Sequence, residues 1–221
     1  MQASESQTHL TYRHIMESKC SKCRRAGEKL FLKGERCAMA KCAVARRPGP
    51  PGVHGAKRKR RGGSEYGVQL AEKQKVKRSY GIQERQFKNY FETASKKKEN
   101  TLNALATLLE TRLDNIAFRL GFAGSRSQAR QMVGHGHLMV NGRRVDIPSY
   151  HITKGDTITI RPGSASKKIF QDIKTVLKKY DPPQWLSMDK ESLKGEMVRS
   201  PEAEELDVPF NLQLITEFYS R

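Results

Sequence analysis

The uneven distribution of charge along the chain limits how its N-terminal half can fold alone. Lys and Arg number 42 against 23 Asp and Glu, a formal net charge of +19. Residues 19–100 contain 24 of these basic residues and only 7 acidic ones. Like charges repel each other in a compact state, so a segment this basic needs a partner of opposite charge. Nucleic acid is the simplest such partner, and a merely solvated surface is the alternative.

The rest of the composition narrows the class of protein. Hydrophobic residues are 36% of the 221, below an ordinary globular share, so part of the chain should depend on a partner for its shape. No apolar run approaches the roughly 18 residues of a membrane-spanning helix, so no membrane partner is expected. Residues 1–18 lack the pattern of a secretory signal and are expected to be a disordered extension of a cytoplasmic protein, with Met16 as an alternative start.

All four cysteines fall in one short segment. Cys20-x₂-Cys23 and Cys37-x₄-Cys42 are separated by thirteen residues. In a reducing compartment four such thiolates favour a closed, structural Zn²⁺ site, which would help to fold a segment too small and basic to build its own core. The wider spacing of the second pair departs from a Cys-x-x-Cys knuckle. Disulfides, free thiols and an iron–sulfur cluster are the alternatives.

Apolar spacing predicts helices over much of the chain. Two helices are predicted between residues 64 and 98, separated at Gly81, and a continuous amphipathic helix over residues 102–120. A stripe at helical spacing in the second helix indicates packed core more than a base-stacking platform; it consists of Phe87, Tyr90, Phe91 and Ala94. Ser125 and Gln128 form a capping-box pattern at the start of a further short helix.

A hairpin and a strand follow. Asn141-Gly142 lies between two extended segments, the pattern of a type I′ turn, and Thr157 to Ile160 alternate as a strand does. A last helix is predicted over residues 167–180, before an acidic C-terminal stretch.

Basic side chains accompany this helix pair and hairpin. Arginine has a planar fork that suits bidentate phosphate contacts, so these elements are expected to bind folded RNA through its shape and backbone. Surface ion pairs are the alternative role for each of these arginines. They are Arg112, Arg119, Arg126, Arg130, Arg143 and Arg144.

Enzyme motifs are scarce. The chain has no Gly-x-Gly-x-x-Gly and no phosphate-binding Gly-x-x-x-x-Gly-Lys-Ser/Thr pattern. His135 and His137 lie close together, but without nearby acids they indicate RNA contact or simple exposure rather than a metal or a general base. The chain is therefore predicted not to be an enzyme.

A set of motifs spans most of the chain from about residue 19. They are Gly27 to Gly34, Arg46-Arg47-Pro48, Pro50-Pro51-Gly52, His54-Gly55, Ser64 to Gly67, Glu84 to Phe87, Arg112 to Asn115, Arg119 to Ala123, Ser125 to Gln131, Gly134 to His137, Val140 to Tyr150 and Glu217 to Arg221. Together they resemble the bacterial small ribosomal subunit protein four family. The extra residues before Met16 and near Asp189 to Asp207 depart from that family's pattern.

The resemblance implies a primary RNA-binding protein that binds small-subunit ribosomal RNA early and nucleates subunit assembly. It implies contacts with the third and fifth small-subunit proteins, the latter influencing translational accuracy, and with messenger RNA (mRNA) where it enters the subunit. Many members keep the four cysteines as a zinc site, which favours Zn²⁺ here. The predicted RNA-binding residues are Arg46, Arg47, His54, Lys57, Arg58, Lys59, Arg60, Arg61, Arg85, Arg112, Arg119, Ser125, Arg126, Gln128, Arg130, Gln131, His135, His137, Asn141, Arg143 and Arg144.

The predicted fold is mainly α with a small β portion (α+β). Residues 19–100 form a zinc-knuckle and helical RNA-binding region, residues 101–165 a helix-pair and hairpin RNA-binding domain, and residues 166–221 a C-terminal helix and tail packing on the N-terminal region. Residues 112–160 alone also resemble modules that tether RNA-modifying enzymes and synthetases to their substrates. A zinc-stabilised DNA-binding regulator is a third possibility, which would prefer duplex DNA to folded RNA.

Overall fold

Short helices and one five-stranded antiparallel sheet make up the computed structural model, which confirms the predicted mixed α+β class. It describes residues 18–56, 63–97, 100–171, 173–178, 180–202 and 210–220, without the side chains of His54, Ala56, Lys168 and Lys174. The predicted extension up to residue 17 and the predicted RNA contacts Lys57 to Arg61 lie outside these residues, as does the His54 side chain. None of the described helices is long and apolar enough to cross a membrane.

The elements follow one another closely along the chain. The helices are α1 (Lys19–Ala26), α2 (Glu35–Ala38), α3 (Ala43–Arg46), a 3₁₀ turn (Val53–Ala56), α4 (Glu65–Tyr80), α5 (Glu84–Ser95), α6 (Thr101–Glu110), α7 (Leu113–Arg119), α8 (Arg126–Gly134), α9 (Pro162–Ala165), α10 (Lys168–Gln171), α11 (Ile173–Lys178) and α12 (Leu212–Tyr219). The strands are β1 (Leu138–Val140), β2 (Arg143–Arg144), β3 (Thr157–Ile160), β4 (Leu186–Asp189) and β5 (Lys194–Met197). Their order in the sheet is β2-β1-β3-β5-β4.

Helices α4, α5, α6 and α12 enclose one of the two larger cores. The predicted break at Gly81 is confirmed, because this residue ends α4 in a left-handed conformation. The aromatic stripe of α5 is buried, which confirms that it is packed core. Tyr219 of α12 stacks on Phe91 at a ring-centroid distance of 4.8 Å and donates a hydrogen bond to Glu84. Aromatic packing and this polar contact together hold α12 on the helical body.

The prediction of one continuous helix over residues 102–120 is wrong. The chain forms α6 and α7, separated at Thr111 and Arg112. Thr111 donates its hydroxyl to the Thr107 carbonyl, and Arg112 turns to an extended conformation that bridges to His151. Apolar residues keep their helical spacing across the break, so periodicity alone does not reveal it.

Turn chemistry positions α8 and the hairpin as predicted. The Ser125 hydroxyl accepts the Gln128 N–H, and the Gln128 side chain accepts the Gly124 N–H in return. Asn141 and Gly142 both have positive φ, 49° and 77°, which a type I′ turn requires at its two central residues. The hairpin formed by β1 and β2 follows α8 directly in the chain and connects it to the sheet.

The C-terminal region contributes to both of the larger cores. Strands β4 and β5 extend the sheet next to β3, a contribution that the sequence did not predict, and buried Trp185 belongs to the core beneath it. Helix α12 packs instead against α4. The predicted helix over residues 167–180 corresponds to α10 and α11. The domain boundaries proposed from the sequence stay a prediction.

Gly34 lies where the cysteine segment meets the turn before α8. Its φ is +58°, and a Cβ there would lie 2.1 Å from the carbonyl oxygen of Gly124. We expect Gly34→Ala to lower the free energy of unfolding by at least about 2 kcal/mol, because it combines backbone strain with a clash against main chain. Chemical denaturation checks this, with Gly163→Ala as control because a Cβ at Gly163 meets nothing within 4 Å. Equal stability of the two variants would contradict this contact.

Candidate RNA-binding surface and cysteine pocket

A buried carboxylate, Glu110, connects four elements. It accepts hydrogen bonds from the Tyr80 hydroxyl (2.5 Å), the Asn115 side chain (2.7 Å) and two guanidinium nitrogens of Arg119 (3.0 and 3.1 Å). A nitrogen of Arg126 lies 3.9 Å from the same carboxylate. Helices α4, α6, α7 and α8 are thus joined by one charged group that is 1% exposed.

A second buried carboxylate, Asp114, holds two further arginines. Arg112 forms a bidentate pair with it at 3.0 and 2.9 Å and donates a third bond to Tyr90 of α5. Arg130 of α8 reaches Asp114 at 2.8 and 2.5 Å and also donates to the carbonyl oxygens of Tyr80 and Gly81. Paired charges of this kind fix the side chains that hold the two cores together.

These contacts stabilise the ionised carboxylate. Burial alone would raise the pKa of Glu110, but the charge and hydrogen bonds of Arg119, with the charge of Arg126 and the Tyr80 hydroxyl, leave that pKa below its ordinary value. Burial and the neighbouring Glu110 charge raise the pKa of Tyr80 well above its ordinary value. The tyrosine therefore remains a hydrogen-bond donor to the carboxylate at neutral pH.

Four of the predicted RNA contacts are buried and have internal partners. Arg112 and Arg119 are 1% and 6% exposed, so their guanidinium groups support the fold rather than face a phosphate. Ser125 caps α8, and His137 contacts Ser164 at 3.0 Å. Each of these four side chains therefore has a structural role in the fold, and its contact with RNA stays a prediction.

Arg126 and Arg130 of α8 are partly exposed and lie together. The Arg126 guanidinium is 4.8 Å from the rings of both Tyr80 and Phe118, so aromatic side chains hold its plane. Both arginines line a pocket with Ser127 between α8 and the end of α4. This pair remains a candidate RNA contact.

A second basic group lies where α8 meets the hairpin. Arg144 packs so closely on the turn after α8 that a Cβ on Gly136 would lie 2.2 Å from its Nε. The rings of His135 and His137 are 5.9 Å apart in the same place. Burial lowers the pKa of His137, and the charges of Lys167, His135, Arg161 and Arg144 lower it further, which indicates a positive local field. Polyanions are favoured here.

The remaining predicted contacts that the structure describes are exposed. Arg143 and Gln131 lie on the hairpin and on α8, and Arg85 lies on α5, outside both basic groups. Gln128 and Asn141 are exposed but also structural, because Asn141 donates to Asp156 and accepts the Thr157 N–H. Arg46 and Arg47 are exposed at the end of α3.

A residue that the sequence did not single out orders the loop after Arg47. Arg24 of α1 donates hydrogen bonds to the carbonyl oxygens of Arg47, Gly49 and Pro50 at 3.0, 3.0 and 3.2 Å. Proline has no N–H group, so this Pro- and Gly-rich loop has few main-chain donors for its own carbonyl oxygens. The Arg24 side chain supplies the missing donors and holds the loop in one conformation. The sequence analysis also missed the roles of Glu110 and Asp114. The pattern that could have indicated them is a carboxylate close in sequence to an apolar stripe and to several arginines.

The cysteine segment gathers its thiols around one pocket. Cys20, Cys23, Cys37 and Cys42 all line it, and none is joined in a disulfide. Lys33 of the same lining brings positive charge to these four sulfurs. Within the described part of the chain, no group of three or more His, Cys, Asp or Glu side chains forms a ready-made metal site.

Main-chain amides approach the sulfur atoms of two of these thiols. Burial raises the pKa of Cys23, an effect that amide hydrogen bonds from Leu30 and Leu32 oppose and the nearby Cys37 and Cys20 reinforce. The pKa of Cys42 is lowered, first by the amide of Val44. Amide donors of this kind stabilise thiolates, so the donor set fits a soft metal ion.

Known proteins of one family are similar to most of this chain. A family profile described as "Ribosomal protein S4/S9 N-terminal domain" matches residues 15–110, and a second, "S4 domain", matches residues 111–158. The chain is 54% identical over 202 residues to small ribosomal subunit protein uS4 of Thermus thermophilus, covering 91% of this chain and 96% of that protein. The protein of the same name from Syntrophomonas wolfei is 51% identical over 205 residues, 93% of this chain and 98% of that protein.

The chain belongs to the uS4 family of small ribosomal subunit proteins. This membership confirms the family resemblance predicted from the sequence. It also confirms that the chain is not an enzyme, since these relatives are named as ribosomal proteins. The boundary between the two profiles, at residue 110, coincides with the end of α6. Glu110 thus connects the two matched parts in space, and Asp114 does so through Arg112 and Arg130.

Proposed function

We propose that this chain is a structural constituent of the small ribosomal subunit that binds its RNA directly, early in assembly. The observation that carries the proposal is the partly exposed arginine pair of α8: Asp114 holds Arg130, and Asn115 with two aromatic rings holds Arg126. Rigid cations of this kind bind an RNA backbone with little loss of side-chain freedom. The family relatives, named as small-subunit proteins, support the same function.

The mechanism is positional. Arg126 binds phosphate beside α8, where Arg130 positions the neighbouring elements, and Arg144 with His135 binds phosphate beside the hairpin. Neutralised phosphates release their counterions, which supplies much of the affinity. The hairpin follows α8 directly in the chain, so the two basic groups keep a constant separation and hold the RNA helices that they contact in one arrangement. That fixed arrangement is how such a protein would nucleate assembly.

The sequence resemblance supports further partners. The proposed protein partners are the third and fifth small-subunit proteins, and the interface with the fifth contributes to translational accuracy. Lys57 to Arg61 are proposed to face mRNA where it enters the subunit. The proposed location is the cytoplasmic ribosome.

The cysteine pocket is proposed to hold a structural Zn²⁺ ion. Cys20, Cys23, Cys37 and Cys42 are the ligands, and the ion, when bound, cross-links α1 to the segment that includes α2. Four thiolates around one Zn²⁺ carry excess negative charge, and Lys33 of the pocket lining offsets part of it. The pocket's amide donors and clustered thiols support this ligand set.

RNA affinity is expected to fall steeply with salt. For a protein with six or more phosphate contacts, the association constant drops about 10³-fold or more between ~50 and ~200 mM salt. Filter binding to small-subunit ribosomal RNA measures this dependence. Arg143→Gln should reduce the slope of the log–log plot by about 1 if it loses one phosphate contact, whereas Lys88→Gln on α5 should leave it unchanged. A flat salt response would contradict phosphate-based binding.

A further inference from the structure

A pocket between the end of α4 and the start of α8 is lined by arginines from both helices. Its lining includes Arg78, Tyr80, Gly81, Arg126, Ser127 and Arg130. Arg126 and Arg130 belong to the family's S4 domain, whereas Arg78 belongs to the N-terminal part matched by the other profile. An anion in this pocket would contact both parts of the protein at once.

The two arginines of α8 each share their carboxylate with another arginine. Glu110 pairs with Arg119 at 3.0 Å and only distantly, at 3.9 Å, with Arg126. Asp114 pairs with Arg112 as well as with Arg130. One negative charge divided between two guanidinium groups does not neutralise both. The mouth of the pocket therefore keeps positive charge that the protein does not compensate with these carboxylates.

The Arg126 guanidinium is fixed before any ligand arrives. The rings of Tyr80 and Phe118 cover it at 4.8 Å each, and its Nε donates to Asn115 at 2.7 Å. Its terminal nitrogens have no hydrogen-bond acceptor among the described residues. A planar donor edge that is already oriented suits two oxygens of one phosphate.

Arg78 supplies a second cation with no internal function. Its side chain is half-buried at the pocket and forms no hydrogen bond or ion pair with the residues that the structure describes. Ser127 lies in the first turn of α8, a nine-residue helix. First-turn N–H groups have no acceptor within their own helix, so they add to the attraction for an anion.

We propose that this pocket binds a phosphodiester group of the RNA backbone, with Arg78 and Arg126 as its ligands and Arg130 as a positioning residue. The proposal rests on the proposed RNA-binding function and assigns it a specific site. A bound phosphate bridges α4 and α8, so RNA binding here stabilises the contact between the two cores. Arg78 becomes a ligand that sequence reasoning did not include.

Inorganic phosphate tests the pocket without RNA. In the full chain, ~50 mM phosphate should raise the melting temperature by about 2 °C or more over chloride at equal ionic strength. Arg78→Gln should abolish this difference, and Arg78→Lys should restore part of it because the positive charge remains. Lys88→Gln, which removes an exposed cation of α5 outside the pocket, should keep it. The proposed site would be wrong if phosphate raised the melting temperature equally in Arg78→Gln and wild type, or if it did not raise that of wild type at all.

Binding to small-subunit ribosomal RNA distinguishes a failure of the proposed pocket from a failure of the proposed RNA-binding function. Arg78→Gln should bind about tenfold more weakly at ~0.1 M salt, with a salt slope smaller by about 1. Wild-type affinity and slope in Arg78→Gln would overturn the pocket while leaving the proposed function intact. Failure of wild type to prefer that RNA over unrelated folded RNA would overturn the proposed function instead.

Discussion

Glu110→Gln is expected to lower the free energy of unfolding by about 3–5 kcal/mol. The substitution keeps the size and shape of the side chain but removes the charge that neutralises Arg119, which is 6% exposed. A buried guanidinium without its carboxylate is costly because it has lost water and gains no ion pair in return. The amide also offers a donor where the Tyr80 hydroxyl needs an acceptor. Chemical denaturation of both proteins measures the loss.

A surface carboxylate provides the matched control. Glu92 is 52% exposed and lies 3.8 Å from Lys88, so Glu92→Gln should change stability by no more than about 0.5 kcal/mol. Acid adds a second readout. The pKa of Glu110 is lower in the folded protein than in the unfolded chain. Its contribution to the free energy of unfolding is therefore fully present above about pH 4.3 and is lost as the pH falls through the folded-state pKa. Wild-type stability in Glu110→Gln would contradict the central role of this carboxylate.

Zinc removal is expected to unfold the cysteine segment while the sheet domain survives. A four-thiolate zinc site contributes on the order of 10 kcal/mol of apparent binding free energy, and the small cluster of Cys23, Leu30 and Leu32 cannot replace it. Hydrogen exchange after chelation should show lost protection over residues 19–47 and retained protection in α8 and β3. Elemental analysis should find one zinc per chain.

Cys37→Ser tests the ligand set directly. It should reduce bound zinc to near zero, whereas Ser21→Ala, a change between the first two ligands, should not. Loss of hydrogen-exchange protection everywhere would count against a cysteine segment that unfolds separately. Full protection of residues 19–47 after chelation would contradict the zinc site, as would purification of the chain with no metal.

Local patterns in the sequence predicted much of this fold. Gly81, the capping pair of α8 and Asn141-Gly142 act through their own backbone preferences, so sequence alone identifies the turns that they form. The buried stripe of α5 follows from helical periodicity. The two profiles and the relatives then supplied the family that these motifs resemble.

Contacts between distant residues were not predictable in the same way. Arg112 was expected to face RNA, yet Asp114 and Tyr90 enclose it. Nothing in the spacing distinguishes an arginine paired with a buried carboxylate from one that faces solvent. Strands β4 and β5 were missed because each is only four residues long, and because a lysine, a glycine and a glutamate precede the single apolar residue of β5. Strand β5 pairs with β3, which lies far earlier in the chain, and β4 pairs with β5.

Footprinting on small-subunit ribosomal RNA tests the central claim most directly. Wild-type protein is added with an equal mass of unrelated folded RNA, or of duplex DNA, as competitor. We expect a compact protected patch at a helix junction that resists both competitors, because rigid basic groups recognise one arrangement of RNA helices. Diffuse protection that either competitor erases would show that bulk charge alone binds the RNA, and would contradict the proposed function.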